Sequence, residues 1–267
     1  MWDDLIKHVK IYGFLLKINA MRQLEYRLNI ALNIMVEMGY LLVKLIYAYI
    51  IHDTGVHIAG LSPDSIYLFI GTYMLMTVFF VSMLQFNIIV FDKQIRDGDF
   101  DLILTKPISS QFMATLKHVD TWISIPNIIA GIGLIVYGWQ ASSVPVSAGN
   151  ILGFLGFVAL GIVTMYGLFV LPLLLAFKFK NISALQSFYW AMWDFNNLPH
   201  KIHFRPVQLF GAVMFPLFLI TNWSPLFVLD QLSSIEIAWG IAAPIILFSL
   251  TRVLWKKALH YYESATS

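Results

Sequence analysis

The chain has 267 residues, of which 59% are hydrophobic and 12% charged, and its 17 Lys and Arg against 15 Asp and Glu leave a net charge of +2. Soluble domains carry about 25% charged residues, so a water-facing surface cannot be built from this inventory, and so small a net charge implies no nucleic-acid partner. No cysteine is present, which excludes a disulfide framework and a thiolate metal site.

The basic residues punctuate the chain. Lys7, Lys10, Lys17, Arg22 and Arg27 form one cluster; Lys93, Arg96, Lys106 and Lys117 a second; Lys178, Lys180, Lys201 and Arg205 a third; Arg252, Lys256 and Lys257 the last. Only Lys44 stands apart, and residues 45–92, 118–177 and 206–251 contain no Lys or Arg. A spanning helix needs about 20 apolar residues, so each tract accommodates two spans joined by a short loop. Three such hairpins predict an all-α polytopic membrane protein with six transmembrane helices. Cytoplasmic flanks carry the Lys/Arg excess, which places the clusters and both termini in the cytoplasm, against anionic lipid. One membrane domain is expected to cover 1–267, with an interfacial helix over 1–28, the spans within 29–255 and a tail over 256–267.

In chain order, residues 2–26 set Trp2, Leu5, Ile6, Val9, Tyr12 and Leu16 at helical spacing, with Lys7, Lys10 and Lys17 elsewhere on the surface. That pattern is an amphipathic helix in the cytoplasmic interface, without the apolar core and cleavage site of a signal peptide. Span one is expected over 29–51. Asn33, Glu37 and Lys44 share one of its faces, since Glu37 and Lys44 lie two turns apart. An ionisable group at mid-helix costs about 2.5–3.5 kcal/mol. These residues therefore either line a translocation pathway or helix seam, or are accommodated by snorkelling of Lys44 and packing of Glu37. Span two, over 65–91, adds Gln85 and Asn87.

The cytoplasmic segment that follows contains Asp97, Gly98, Asp99, Phe100 and Asp101, then an apolar stretch that stops at Pro107. Capping Asp residues and a turn-permitting Gly make it a short helical element. Phe100, Leu102, Ile103 and Leu104 need membrane or intramolecular cover. The segment lacks the acidic ligands and closing Glu of a calcium loop. Spans three and four are expected over 119–138 and 149–177. Residues 178–205 then return to the cytoplasm, with an interfacial helix around Phe188 to Trp193. His200 and His203 have no carboxylate beside them and are read as part of a juxtamembrane loop, not a metal site. Span five is expected over 207–221, followed by an apolar segment, Asn222 to Leu229, too short to cross and read as re-entrant on the outer face. Span six is expected over 235–255.

Around Gly98 the sequence resembles the permeases of the ABC type-2 exporter family, the six-span bacterial permeases that work with a separate ATPase. The pattern of their first cytoplasmic loop is matched by Gly98, Phe100, Asp101, Leu104, Lys106 and Pro107. Weaker matches are Glu25-Tyr26-Arg27 before span one and the Pro216 and Pro225 pair before span six. The resemblance implies that the loop, including Arg96, couples to the ATPase, and that an outer re-entrant element contains Pro216, Trp223 and Pro225. It further implies two permease halves, identical or related, two P-loop ATPase subunits that carry ATP and magnesium, and a bacterial plasma (inner) membrane location with outward transport. This chain has no Gly-Lys-Ser/Thr phosphate cradle and needs no cofactor of its own. An ion-coupled transporter or channel and a non-transporting assembly subunit remain as alternatives. An intramembrane enzyme finds no support in paired carboxylates or a nucleophile and base.

Overall fold

The computed structural model describes residues 2–55, 60–122, 124–179 and 182–262, without the side chains of residues 2–5, Ser183 and Gln186. Lys180, the tail over 263–267 and the side chains of Trp2 and Leu5 in the amphipathic stripe lie outside the described residues.

Helix α1 (Trp2–Glu25) turns at Tyr26 into α2 (Arg27–Asp53). Ser62 then caps a 3-10 turn at Pro63 that feeds α3 (Ile66–Phe79), a π-helical turn (Phe80–Gln85) and α4 (Phe86–Arg96). Together these form one helix of 34 residues, Pro63–Arg96, about 51 Å long at 1.5 Å per residue. Two short helices, α5 (Asp99–Leu104) and α6 (Ser110–Leu116), lead to α7 (Ile125–Ala141) and α8 (Ala148–Val170), the latter extended through a 3-10 turn at Pro172 into α9 (Ala176–Phe179). Then follow α10 (Ser183–Asp194), α11 (Arg205–Leu209) with a π turn to Met214, α12 (Trp223–Val228) and α13 (Ser234–Leu259). Ser233 and Glu236 close the start of α13 with a reciprocal capping box.

Among the described residues, four helices are long and apolar enough to cross a membrane: Arg27–Asp53, Pro63–Arg96, Ala148–Phe179 and Ser234–Tyr261. They contain the predicted spans one, two, four and six. Ile125–Ala141 is shorter, at 17 residues, and starts later than predicted because the chain before it is pinned to span two. There Asn87 donates to the His118 carbonyl (2.8 Å) and accepts from the His118 N–H (3.0 Å), while the Asp120 N–H donates to the Ser82 carbonyl (2.9 Å).

Span two is the centre of the bundle. Every residue from Ile66 to Met74 is buried, so α3 has no polar face and reads as an uninterrupted apolar run. Its closest approach is to α7. A Cβ at Gly71 would stand 2.8 Å from the Gly131 carbonyl oxygen, and one at Gly138 would stand 2.7 Å from the Leu68 nitrogen. Small residues let the backbones close, as is usual where apolar burial alone does not drive helices together in lipid.

The chain after span four differs from expectation. Residues 207–221 are not one helix: α11 and its π turn end at Met214, because Pro216 supplies no N–H and pushes Phe215 out of the helical region, to φ −127°, ψ 79°. Nor do residues 182–205 lie as a loop at the end of the bundle that holds Arg96. Tyr189 rests on Phe169 (5.2 Å), Trp193 stacks on Phe80 (4.5 Å) and reaches Tyr73 (5.9 Å), Thr221 donates to Asn196 (3.0 Å), and Lys201 donates to Gln231. The chain therefore climbs along span two from the end holding Arg96 and Phe177 to the end holding Pro63 and Ser234. Lys201 lies at the latter end, which splits the third basic cluster, and His200 is buried, with its N–H bonded to Asn222 (2.7 Å). The juxtamembrane reading of His200 and His203 is thereby corrected.

The stripe on α1 also divides. Ile6 and Val9 are exposed, whereas Tyr12 and Leu16 turn inward beside Asn19 and Gln23, which donate to the carbonyls of Lys117 (2.9 Å) and Val119 (3.1 Å). The inward face of α1 recognises backbone as well as packing.

The close α3–α7 crossing predicts that Gly71→Val costs about 1–3 kcal/mol through overpacking. Gly133, which has no neighbour within 4 Å of a built Cβ, should accept Ala with no loss. Thermal unfolding of the detergent-purified variants by size-exclusion fluorescence checks the contrast.

Candidate functional site

The segment between spans two and three is built on a backbone inversion at Gly98. After Asp97 caps α4, Gly98 adopts φ 81°, ψ 0° and starts α5, a left-handed position that costs a residue with a Cβ about 1–2 kcal/mol. The turn aims Phe100 inward, fully buried, into a cage of rings: Tyr262 at 5.1 Å, Phe177 at 5.3 Å, Phe91 at 6.1 Å and Trp255 at 6.4 Å between centroids. These rings come from the ends of three long helices and from Tyr262, three residues past the end of α13. Ile103, one turn on, is buried as well, whereas Leu102 is 65% exposed and Leu104 44% exposed. The apolar stretch thus divides, one face anchoring the element and the other left open with Arg96, Lys106 and Pro107, all exposed. Arg96 also reaches back to Asp92 (3.7 Å). Asp101 faces Tyr262, whose hydroxyl is pushed up to about 12 by burial and by that carboxylate.

Helix α6 is held from the other side. Arg252 donates to Gln111 (3.0 Å), the Trp255 indole donates to Ser110 (3.2 Å), and Lys7 of α1 donates to the Pro107 carbonyl. Both described ends of the chain therefore meet at α5–α6.

A second constellation lies at membrane depth. Asn33, Glu37 and Lys44 lie on the inward face of α2, the rest of which is largely exposed apolar surface. Asn127 of α7, 3% exposed, donates to Glu37 Oε2 at 2.7 Å. Lys44 Nζ sits 4.6 Å above the Tyr73 ring and is within electrostatic range of Glu37 and of Asp194 at the end of α10. Asn127, Tyr73 and Asp194 were not singled out from the sequence. An amide inside the apolar run Ile125 to Ala130 is a signal of the same kind as Asn33, whereas the approach of Asp194 to Lys44 depends on how α10 packs. Asn87 stands apart from this group in the His118 clamp, and Gln85 lines a cleft that Asn33 also borders.

At the other end of the bundle, Pro216 and α12 are buried. The Trp223 indole donates to the Glu236 carbonyl (3.0 Å), and Pro225 occupies the first turn of α12, where no intrahelical N–H bond is required.

Compared with protein families, residues 38–266 match the model described as an ABC-2 family transporter protein. The chain belongs to that family. This ABC-2 chain is a multi-pass membrane permease component of the ABC exporter type, and the permeases of its family work with ATP-binding subunits. Neither the curated proteins nor the solved structures gave a match.

Phe100→Ala empties the cage and should cost about 3–5 kcal/mol, read as lost hydrogen-exchange protection across 99–104 and a lower unfolding temperature. Leu102→Ala, on the open face, should leave both unchanged.

Proposed function

We propose that the chain is the membrane-spanning permease subunit of an ATP-driven exporter in a bacterial plasma membrane, with α5 receiving force from a separate P-loop ATPase that carries ATP and magnesium. The burial of Phe100 between the ends of spans two, four and six carries this reading: a push on the exposed Leu102 and Leu104 face is delivered to three long helices at once. Gly98 sets the turn, Asp101 faces Tyr262 at the edge of the cage, and Arg96, Lys106 and Pro107 border the contact surface.

In this reading the membrane is crossed six times within a single domain, the fifth pass being made by α10 and completed by the buried segment around Pro216, Trp223 and Pro225. The end holding Arg96, α1 and the end of α13 is cytoplasmic, in keeping with the Lys/Arg excess there. The polar face of Asn33, Glu37 and Lys44, with Asp194, borders the path of an amphipathic cargo: a lipid-like molecule, drug, peptide or polymer. A second permease half, identical or related, closes the other side. An exposed carboxylate such as Asp194 does not face hydrocarbon at mid-depth, and that favours a pathway over a packing seam.

Reconstitution with the cognate ATPase tests the assignment. Gly98→Val and Asp101→Ala should lower transport about tenfold while ATP hydrolysis continues, and Leu102→Glu should weaken recovery of the ATPase with the permease. Undiminished ATP-linked transport in the first two variants would remove α5 from the coupling path.

A further inference from the structure

A cleft of about 420 Å³ opens where α1 turns into α2, against span two and the chain at 118–122. Its polar lining comes from Asn19, Arg22, Asn29, Asn33, Gln85 and Asp120, and its apolar wall from Ile30, Val81, Phe86 and Ile89. Phe86 and Ile89 are exposed beside the mouth of the cleft, and Val81 lies one turn further from the Arg96 end. Span two, at about 51 Å, exceeds the roughly 30 Å hydrocarbon core by about 20 Å. Gln85 and Ile89 lie two to three turns from its Arg96 end, which sets the cleft near headgroup level. The first turns of α2 form its opposite side.

The charges are matched in kind. Arg22 makes no ion pair among the described residues, and Asp120 supplies one carboxylate on the same lining. Burial and the nearby Lys117 and Arg22 charges push the His118 imidazole down to about 4, so it is neutral at physiological pH. Gln85 Oε1 is buried and accepts no hydrogen bond among the described residues, an arrangement that asks for a donor. One guanidinium, one carboxylate and an unfilled acceptor fit a group bearing both a phosphate and an ammonium.

We infer that this cleft seats the zwitterionic headgroup of a bilayer phospholipid of the phosphatidylethanolamine type, with the phosphate on Arg22, the ammonium toward Gln85 and Asp120, and the acyl chains leaving past Val81 and Ile30. The inference rests on the membrane placement and not on ATP-driven transport. Such a lipid braces the turn at Tyr26, where α1 and α2 meet without a side-chain cap.

Native mass spectrometry of the full chain in detergent, titrated separately with phosphatidylethanolamine, phosphatidylglycerol and diacylglycerol, decides it. Phosphatidylethanolamine should be retained in preference to the other two. Its binding should weaken about tenfold in Arg22→Ala and measurably in Asn29→Leu, whose native amide makes no described hydrogen bond. Equal retention of phosphatidylethanolamine by wild type and both variants overturns the site, and equal retention of phosphatidylglycerol or diacylglycerol overturns the zwitterionic assignment. Should Arg22→Ala not fold, phosphatidylethanolamine brominated high on its acyl chains should quench a fluorescence component that Trp122→Phe removes; no such component overturns the site. A chain that supports ATP-linked transport yet retains no phosphatidylethanolamine sinks this inference alone.

Discussion

The ring of Phe100 is the point at which the separate helices of this protein become one mechanical body. Phe91 belongs to span two, Phe177 to the extension of span four and Trp255 to the last span, and each lies within about 6.5 Å of the Phe100 ring between centroids. Aromatic pairs add about 0.5–1.5 kcal/mol each beyond their buried area, and a six-residue helix has almost no stability of its own. Helix α5 therefore exists because the cage exists. The reverse holds in part: the ends of three long helices converge on a side chain that none of them supplies.

Span two carries that linkage through the membrane. Its π turn at Phe80–Gln85 lies where Trp193 stacks and where the Ser82 carbonyl takes the Asp120 N–H. Such turns are frequent at functional positions, and this one lies between the Phe100 cage and the glycine-close crossing with α7. Below the turn the helix is tied to α5 and to the His118 loop; above it, α3 is buried too deeply to move independently of α7 and α8. Displacement of the Arg96 end is thereby led either to a bend at the π turn or to motion of the whole helix with its neighbours.

Much of this arrangement was legible because cation placement and apolar length are strong, local signals. Lys93 and Arg96 bound span two, Lys178 bounds span four, and Arg252 with Lys256 bounds the last, so those helices fall where the cation-free tracts put them. The course of residues 182–221 was not legible, since α10 is rich in Phe, Tyr and Trp and resembles an interfacial helix by composition. Only its stacking on Phe80 and Phe169 reveals that it lines the bundle. Length arithmetic also assumed a straight helix where Pro216 forbids one. At α5 the need to cover Phe100, Leu102, Ile103 and Leu104 was readable, but which pair is covered depends largely on Phe177, Trp255 and Tyr262, more than 70 residues away. Glu37 and Lys44 were readable as costly groups, whereas Asn127, Tyr73 and Asp194 are brought to them by tertiary packing.

Span one shows why a helix so poorly covered by its own chain carries charge at all. Its outer face, with Leu28, Leu32, Met35 and Val43 exposed, suits hydrocarbon, so the inward face must satisfy Glu37 and Lys44 at an insertion cost of about 2.5–3.5 kcal/mol for such a group at mid-helix. The Asn127 amide answers one carboxylate oxygen and the Tyr73 ring answers the ammonium, yet both bonds are to neutral partners. The nearest charges able to offset Lys44 are Glu37 itself and Asp194. The two carboxylates leave the trio with one negative charge in excess, and Asp194 is exposed. A bundle of this single chain in lipid leaves that excess without water. In the proposed assembly an aqueous path between two permease halves would supply it, and the charge balance of span one would then be a reason for assembly and not only a consequence of it.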